Sequence, residues 1–215
     1  MYAMTTNRTD VAFPIGVLSR YNQDSSNEHM VALKRVFWYL NSTKDWLPRF
    51  RGALSEALGV GLGGEGECTC RCYVDSDSGG CPYDYKSTSG LVITFGEVVD
   101  WRSRKQKSTA HSLTDAEYYS FGVGCMRLIQ ISHLLNKLGI LTIPHVFSDS
   151  QALIASIKNR IYSGTAVANI ATKYYLVVDM TRDREINLAY LLTAGQTQSI
   201  WKLWLMEGSK SGSFA

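Results

Sequence analysis

Between residues 69 and 103 the chain carries three β-patterned stretches in quick succession. Residues 69–75 (TCRCYVD) alternate, 89–95 (SGLVITF) are rich in β-branched residues, and 97–103 (EVVDWRS) alternate again. Gly90 and Gly96 mark bends, and connections this short predict an antiparallel meander. A long helical pattern follows over 113–138. Thr114 and Glu117 have the spacing of a capping box at its start, and Gly139 supplies the stop. Beyond it the pattern predicts a strand at 143–148, a helix at 150–158, a longer helix at 168–182 and a final strand at 185–192. Three strands, a helix, a strand and then a helix–strand pair make a mixed α/β fold.

The chain before residue 69 has a different texture. Residues 27–41 read as an amphipathic helix with Met30, Leu33, Phe37 and Leu40 on its apolar stripe. Residues 56–67 (EALGVGLGGEGE) are glycine-rich and predict a connection; GVGLGG lacks the lysine and Ser/Thr of a phosphate loop. The expected division is a short helical segment over 1–50, a linker over 51–68, the α/β domain over 69–200 and an irregular tail over 201–215. With 45% hydrophobic and 19% charged residues, a core is within reach and wholesale disorder is not expected.

The net charge of +3 says little about partners. No apolar run reaches the roughly 20 residues a bilayer span needs, so no membrane partner is expected. Five cysteines and no signal-peptide pattern at Met1–Asp10 point to reduced thiols and a cytoplasmic or nuclear, intracellular setting. Cys68, Cys70 and Cys72 would share one strand face; their spacing is poor for structural zinc. The four histidines form no ligand spacing, and no serine or cysteine pairs with one as a nucleophile.

Three carboxylates stand at joints between elements: Asp75 ending a strand, Glu117 starting the long helix, and Asp149 between a strand and a helix. Each has a local role open to it: Asp75 in a turn, Glu117 as the partner of Thr114, Asp149 as a helix cap. Brought together at one sheet edge, they would instead be hard oxygen ligands for magnesium or manganese. The basic run Arg102, Arg104, Lys105 and Lys107, placed after the third strand, reads either as a solvated loop or as a grip on phosphates.

These pieces resemble a known family. DVAFPIGVLSRY, EHMVALKRVFWYLNSTKD, YVDSD, DYKSTSG, WRSRKQ, STAHSLTDAEYYS, SDSQALIASIKN and EINLAYLLTAGQT are similar to the C-terminal part of copia-type retrotransposon polyproteins. That part is the reverse-transcriptase tail and ribonuclease H domain. The resemblance implies an α/β, ribonuclease H-like fold, a mixed five-stranded sheet flanked by helices, and metal-dependent hydrolysis of RNA in RNA–DNA hybrids, with two Mg2+ or Mn2+ ions. It assigns Asp75, Glu117 and Asp149 as catalytic metal ligands. Ser150 and Gln151, with Arg102, Arg104 and Lys105, become candidate contacts to the hybrid. Lys86, Ser87 and Thr88 match a family motif without an assigned role. The polymerase part of such a polyprotein is a second implied partner.

The departures from the family point the other way. Where members carry a fourth acidic ligand the chain has Ser199, with Glu207 eight residues late. The histidine-rich segment before the last strand reads ANIATKYY, and the likeness stops beyond Gln198. The polymerase's paired catalytic aspartates are absent. The expectation is therefore impaired cleavage on a retained fold and a decayed or frame-disrupted end. The alternative is an inactive remnant that binds nucleic acid or a protein partner.

Overall fold

Alternate residues along the first strand divide the α/β unit into two faces. Cys70, Cys72 and Val74 are buried in the main core, while Tyr73 between them faces away and stacks on Phe147. The computed structural model describes residues 2–45, 68–77, 79–81, 83–107, 109, 112–160 and 168–191. These fall into two units, one within residues 1–49 and one within 50–196.

The first unit contains α1 (Tyr2–Thr6), α2 (Ala12–Leu18) and α3 (Asn27–Ser42), with 3-10 turns at Thr9–Val11 and Ser19–Tyr21. Ser26 caps α3 and His29 returns the bond to the Ser26 backbone. Arg8 ties the two ends of this unit together. It is bonded to Asp10 at 2.7 Å, to the Thr43 carbonyl at 3.1 Å and to the Thr43 hydroxyl at 2.6 Å. The expected stripe on α3 is corrected: Val36 is the buried residue, and Met30 and Phe37 are 48% and 60% exposed. The register of the apolar residues is helical, but which face becomes covered depends on neighbours that periodicity does not name.

The second unit has β1 (Cys68–Ser76), β2 (Thr88–Phe95), β3 (Glu97–Lys105), α4 (Leu113–Lys137), β4 (Thr142–Ser148), α5 (Gln151–Asn159), α6 (Ala168–Arg182) and β5 (Asn187–Tyr190). The sheet order is β3-β2-β1-β4-β5. β1, β2 and β3 form the expected antiparallel meander, and β4 joins β1 in parallel with β5 parallel beyond it. This is the mixed five-stranded sheet flanked by helices that the family resemblance implies.

α4 lies across β1, β2 and β4, and α6 packs on α4. The helix buries Tyr118, Phe121, Cys125 and Leu128 against the sheet side of the core. Gly124 permits the approach: a Cβ there would collide with Val74 Cγ2 and lie 3.3 Å from Cys72 Sγ. Cys70 and Cys72 are therefore core residues, and burial pushes the Cys70 thiol up to about 11.

Three boundary expectations are corrected by the caps and the ladder. Ser112, not Thr114, caps α4, accepting from the Asp115 amide at 3.1 Å. Ser150, not Asp149, caps α5 through the Leu153 amide. β3 runs through Lys105, so Arg102, Arg104 and Lys105 belong to the strand and not to a loop after it. The Gln106 amide then continues the ladder to the Ser87 carbonyl at 2.8 Å. β5 is also shorter than its apolar pattern suggests. The glycine-rich connection, His111, Ser199 and the tail lie outside the described residues. Among the described residues no helix is long and apolar enough to cross a membrane.

Candidate functional site

The parallel ladder of β1 and β4 brings two of the three carboxylates to the same level. Tyr73 is paired with Phe147, and their rings stack with centroids 5.1 Å apart. Asp75 and Asp149 each follow two residues later, at the carboxyl ends of strands that stand about 4.8 Å apart. Asp75 Oδ1 accepts from the Ser76 amide at 2.7 Å. Asp149 occupies the bend between β4 and the Ser150 cap of α5. Ends of adjacent parallel strands are where open α/β sheets present their ligand sites.

Glu117 reaches this end by way of α4, which runs opposite to β1. Ser132 meets Thr142 at the start of β4, Gly124 lies over Cys72 and Val74, and Ser120 meets Ser89, the partner of Ser76. Glu117 precedes Gly124 by seven residues on the same helix face, a rise of about 10 Å, or roughly three strand residues. That carries it just past Val74, to the level of Asp75 and Ser76. All three carboxylates are half-buried.

Shared level is not yet a closed cage. Among the described residues, no group of three or more His, Cys, Asp or Glu side chains is disposed to hold a metal ion. The donor chemistry nonetheless fits magnesium, which is usually held by one or two carboxylates with water and substrate phosphate completing its shell. Asp75 and Asp149 each follow a paired residue of β1 and β4 by two positions, and Glu117 lies in the first turns of α4.

The neighbouring carboxylates have structural work. Asp77 closes the turn after β1, its Oδ1 accepting from the Thr88 amide and its own amide donating to the Thr88 carbonyl at 3.1 Å. Ser87 Oγ accepts from the Gly79 amide at 3.0 Å. The Lys86–Thr88 motif is thus part of the β1–β2 turn. Asp84 pairs with Lys105 at 2.7 Å and with Lys86 at 3.7 Å. The Cys81 thiol and the Lys105 ammonium hold its carboxyl well below the usual carboxylate range.

The residues proposed for nucleic-acid contact are dispersed. Arg102 and Arg104 are exposed on β3, whereas Lys105 is engaged by Asp84 and by Cys81 Sγ at 3.1 Å. The Ser150 hydroxyl is used by the α5 cap, and Gln151 is exposed at the first turn.

Sequence reading missed Gln106. It is 3% exposed, and its Nε2 lies 3.0 Å from Ser89 Oγ, 3.0 Å from the Ala116 carbonyl and 3.2 Å from Ser120 Oγ. Nothing in a basic strand end marks its last polar residue as buried; only the packing of α4 over β2 does.

No protein-family model matches the chain. It is 30% identical over 195 residues to the retrovirus-related Pol polyprotein from transposon TNT 1-94 of Nicotiana tabacum, covering 90% of this chain and 14% of that protein. Against the corresponding polyprotein from transposon RE2 of Arabidopsis thaliana it is 28% identical, covering 88% and 12%. Secreted RxLR effector protein 161 of Plasmopara viticola is 39% identical over 119 residues, covering 55% of this chain and 75% of that one. The chain thus spans about one seventh of the Pol polyproteins it matches. Among solved structures, RNase H1 from Halobacterium salinarum aligns with 14% identity and a TM-score of 0.39, covering 59% of this chain and 87% of that one. Prototype foamy virus protease-reverse transcriptase aligns with 13% identity and a TM-score of 0.43, covering 67% and 21%.

Proposed function

The chain belongs with the Pol polyproteins of copia-type transposons and contains a ribonuclease H-like domain, and from that premise we propose that this domain hydrolyses the RNA strand of RNA–DNA hybrids at an impaired rate. The observation that supports the reading is the register of Tyr73 with Phe147 on neighbouring parallel strands, two residues before Asp75 and Asp149, with α4 packed over the same strands.

Asp75, Glu117 and Asp149 would hold Mg2+ or Mn2+, two ions in the full site. Such ions supply an ionised water and offset charge on the leaving 3′ oxygen. The three carboxylates act by fixing that end of the sheet relative to a phosphate, and their half-burial strengthens their pull on a cation relative to open water. Hybrid is told from duplex DNA by 2′-hydroxyls across a shallow minor groove. Gln151 presents an exposed carboxamide for such contacts, with Ser150 beside it. Arg102 and Arg104 carry the charge for backbone phosphates, with Lys105 contributing only when it leaves Asp84. The polymerase part of the polyprotein is the second proposed partner, in a cytoplasmic or nuclear setting that keeps the cysteines reduced.

Impairment follows from Ser199, which brings no charge where the family's fourth acid stands. Loss of one electrostatic stabiliser at a reacting phosphate costs on the order of a hundredfold in rate. The test is digestion of a labelled hybrid at millimolar magnesium or manganese by the wild type, Asp75→Asn and Ser199→Asp. Slow cleavage, abolished by Asp75→Asn and raised about a hundredfold by Ser199→Asp, is expected on that estimate. Brisk wild-type turnover would overturn the impairment. Failure of both wild type and Ser199→Asp to cut would overturn the enzymatic reading and leave a hybrid-binding domain.

A further inference from the structure

Gln106 lies between the two halves of the candidate site without belonging to either. Its carboxamide is enclosed by β2 on one side and the first turns of α4 on the other. Nε2 carries two hydrogens and has three acceptors in reach, Ser89 Oγ, the Ala116 carbonyl and Ser120 Oγ. The same oxygens bond one another: Ser89 Oγ lies 2.6 Å from Ser120 Oγ, and Ser120 Oγ donates to the Ala116 carbonyl at 2.9 Å. In such a buried set each polar group is paired with another member, and leaving one without a partner is strongly disfavoured.

The Ala116 carbonyl and the Glu117 Cα belong to one planar peptide unit. Fixing that oxygen fixes where the Glu117 side chain starts. At its other end the network holds Ser89, which is paired with Ser76, next to Asp75. We infer that Gln106 is a positioning residue that sets Glu117 relative to Asp75, acting through the Ala116–Glu117 peptide. The inference rests on the reading of Asp75, Glu117 and Asp149 as cation ligands. Without Gln106, α4 keeps its Ser120–Ser89 and Ser132–Thr142 bonds but loses the bond by which β3's end holds the Ala116 carbonyl.

Gln106→Met keeps length and volume but removes the donor. Mn2+ is titrated into the folded 215-residue chain, with free ion followed by electron paramagnetic resonance, for wild type, Q106M, E117Q and the double variant. Thermal unfolding is recorded on the same samples. Q106M is expected to weaken Mn2+ about tenfold, the usual effect of losing a group that orients a ligand. The double variant should bind no more weakly than E117Q alone, because Gln106 has nothing to act on once Glu117 is gone. A role confined to stability would lower the unfolding temperature and leave the affinity of the folded protein unchanged, which overturns the inference. Losses that add in the double variant overturn it as well. Should Q106M fail to fold, Gln106→Asn keeps the amide but is one methylene short of Ala116, and the same weakening is expected; unchanged affinity there overturns the inference. If the wild type binds no Mn2+, the cation reading falls and takes this role with it; wild-type binding with unaltered Q106M binding removes the role alone.

Discussion

Adding one methyl group at Gly124 distinguishes local helix preference from tertiary packing, because the two predict opposite signs. In an exposed helix interior, Gly→Ala stabilises by about 1 kcal/mol through backbone entropy and propensity. Here the new Cβ collides with Val74 Cγ2 and sits 3.3 Å from Cys72 Sγ. Both side chains are buried on β1, the middle strand, with β2 and β4 bonded to either side, so the backbone has no room to retreat. Overpacking of this kind costs typically 1–3 kcal/mol, and a contact this short belongs at the upper end. The net expectation for Gly124→Ala is a loss of about 2 kcal/mol, from roughly 3 lost to overpacking less 1 gained in propensity. For a chain of this size that lowers the melting temperature by about 4–8 °C. Urea unfolding followed by tryptophan fluorescence gives the free energy, and calorimetry the temperature. A Gly124→Ala protein as stable as wild type, or more so, would refute the close approach of α4 to β1 and with it the level assigned to Glu117. Gly139→Ala is the control: nothing lies within 4 Å of its Cβ, and only its φ of +82° costs anything, about 1–2 kcal/mol.

Two further outcomes follow from buried groups. Burial pushes the Cys70, Cys72 and Cys125 thiols up, so an uncharged reagent that alkylates thiolates, such as iodoacetamide, should leave all three unlabelled at pH 8 in the native protein and label them in urea, read by peptide mass spectrometry. In the first unit, burial alone would raise the Asp10 carboxyl, but the Arg8 guanidinium outweighs it with help from Tyr39, and the net shift is downward. A carboxylate lowered on folding contributes stability above its unfolded value near 3.8, and that contribution is lost as pH falls through the lower folded value. Arg8→Met should therefore cost about 3 kcal/mol at pH 7, the price of a buried charge left unpaired, and distinctly less at pH 3. A cost that does not change with pH in urea titrations would count against the ion pair.

Legibility from sequence tracked how local each determinant is. The meander over β1–β3 was readable because alternation and short turns are properties of neighbouring residues, and α6 has the bounds expected for it. The places of Asp75, Asp149 and Glu117 at strand ends and a helix start were readable too. The capping residue of α4 was not, since Ser112 and Thr114 offer the same chemistry two positions apart and only the packed helix axis chooses between them. The basic run was assigned to a loop because charge resembles solvent exposure, yet pairing with β2 keeps Arg102, Arg104 and Lys105 in the ladder.

By itself the sequence determined the elements, their order and the chemical kind of the candidate site, because periodicity, turn residues and donor type are written in the chain locally. Tertiary structure alone decided that β4 lies in parallel beside β1, that Gly124 lets α4 come close, and that Gln106 is buried between α4 and β2. Those are relations between residues tens of positions apart. They arise from which faces exclude water together, and a one-dimensional pattern holds no distance between such faces.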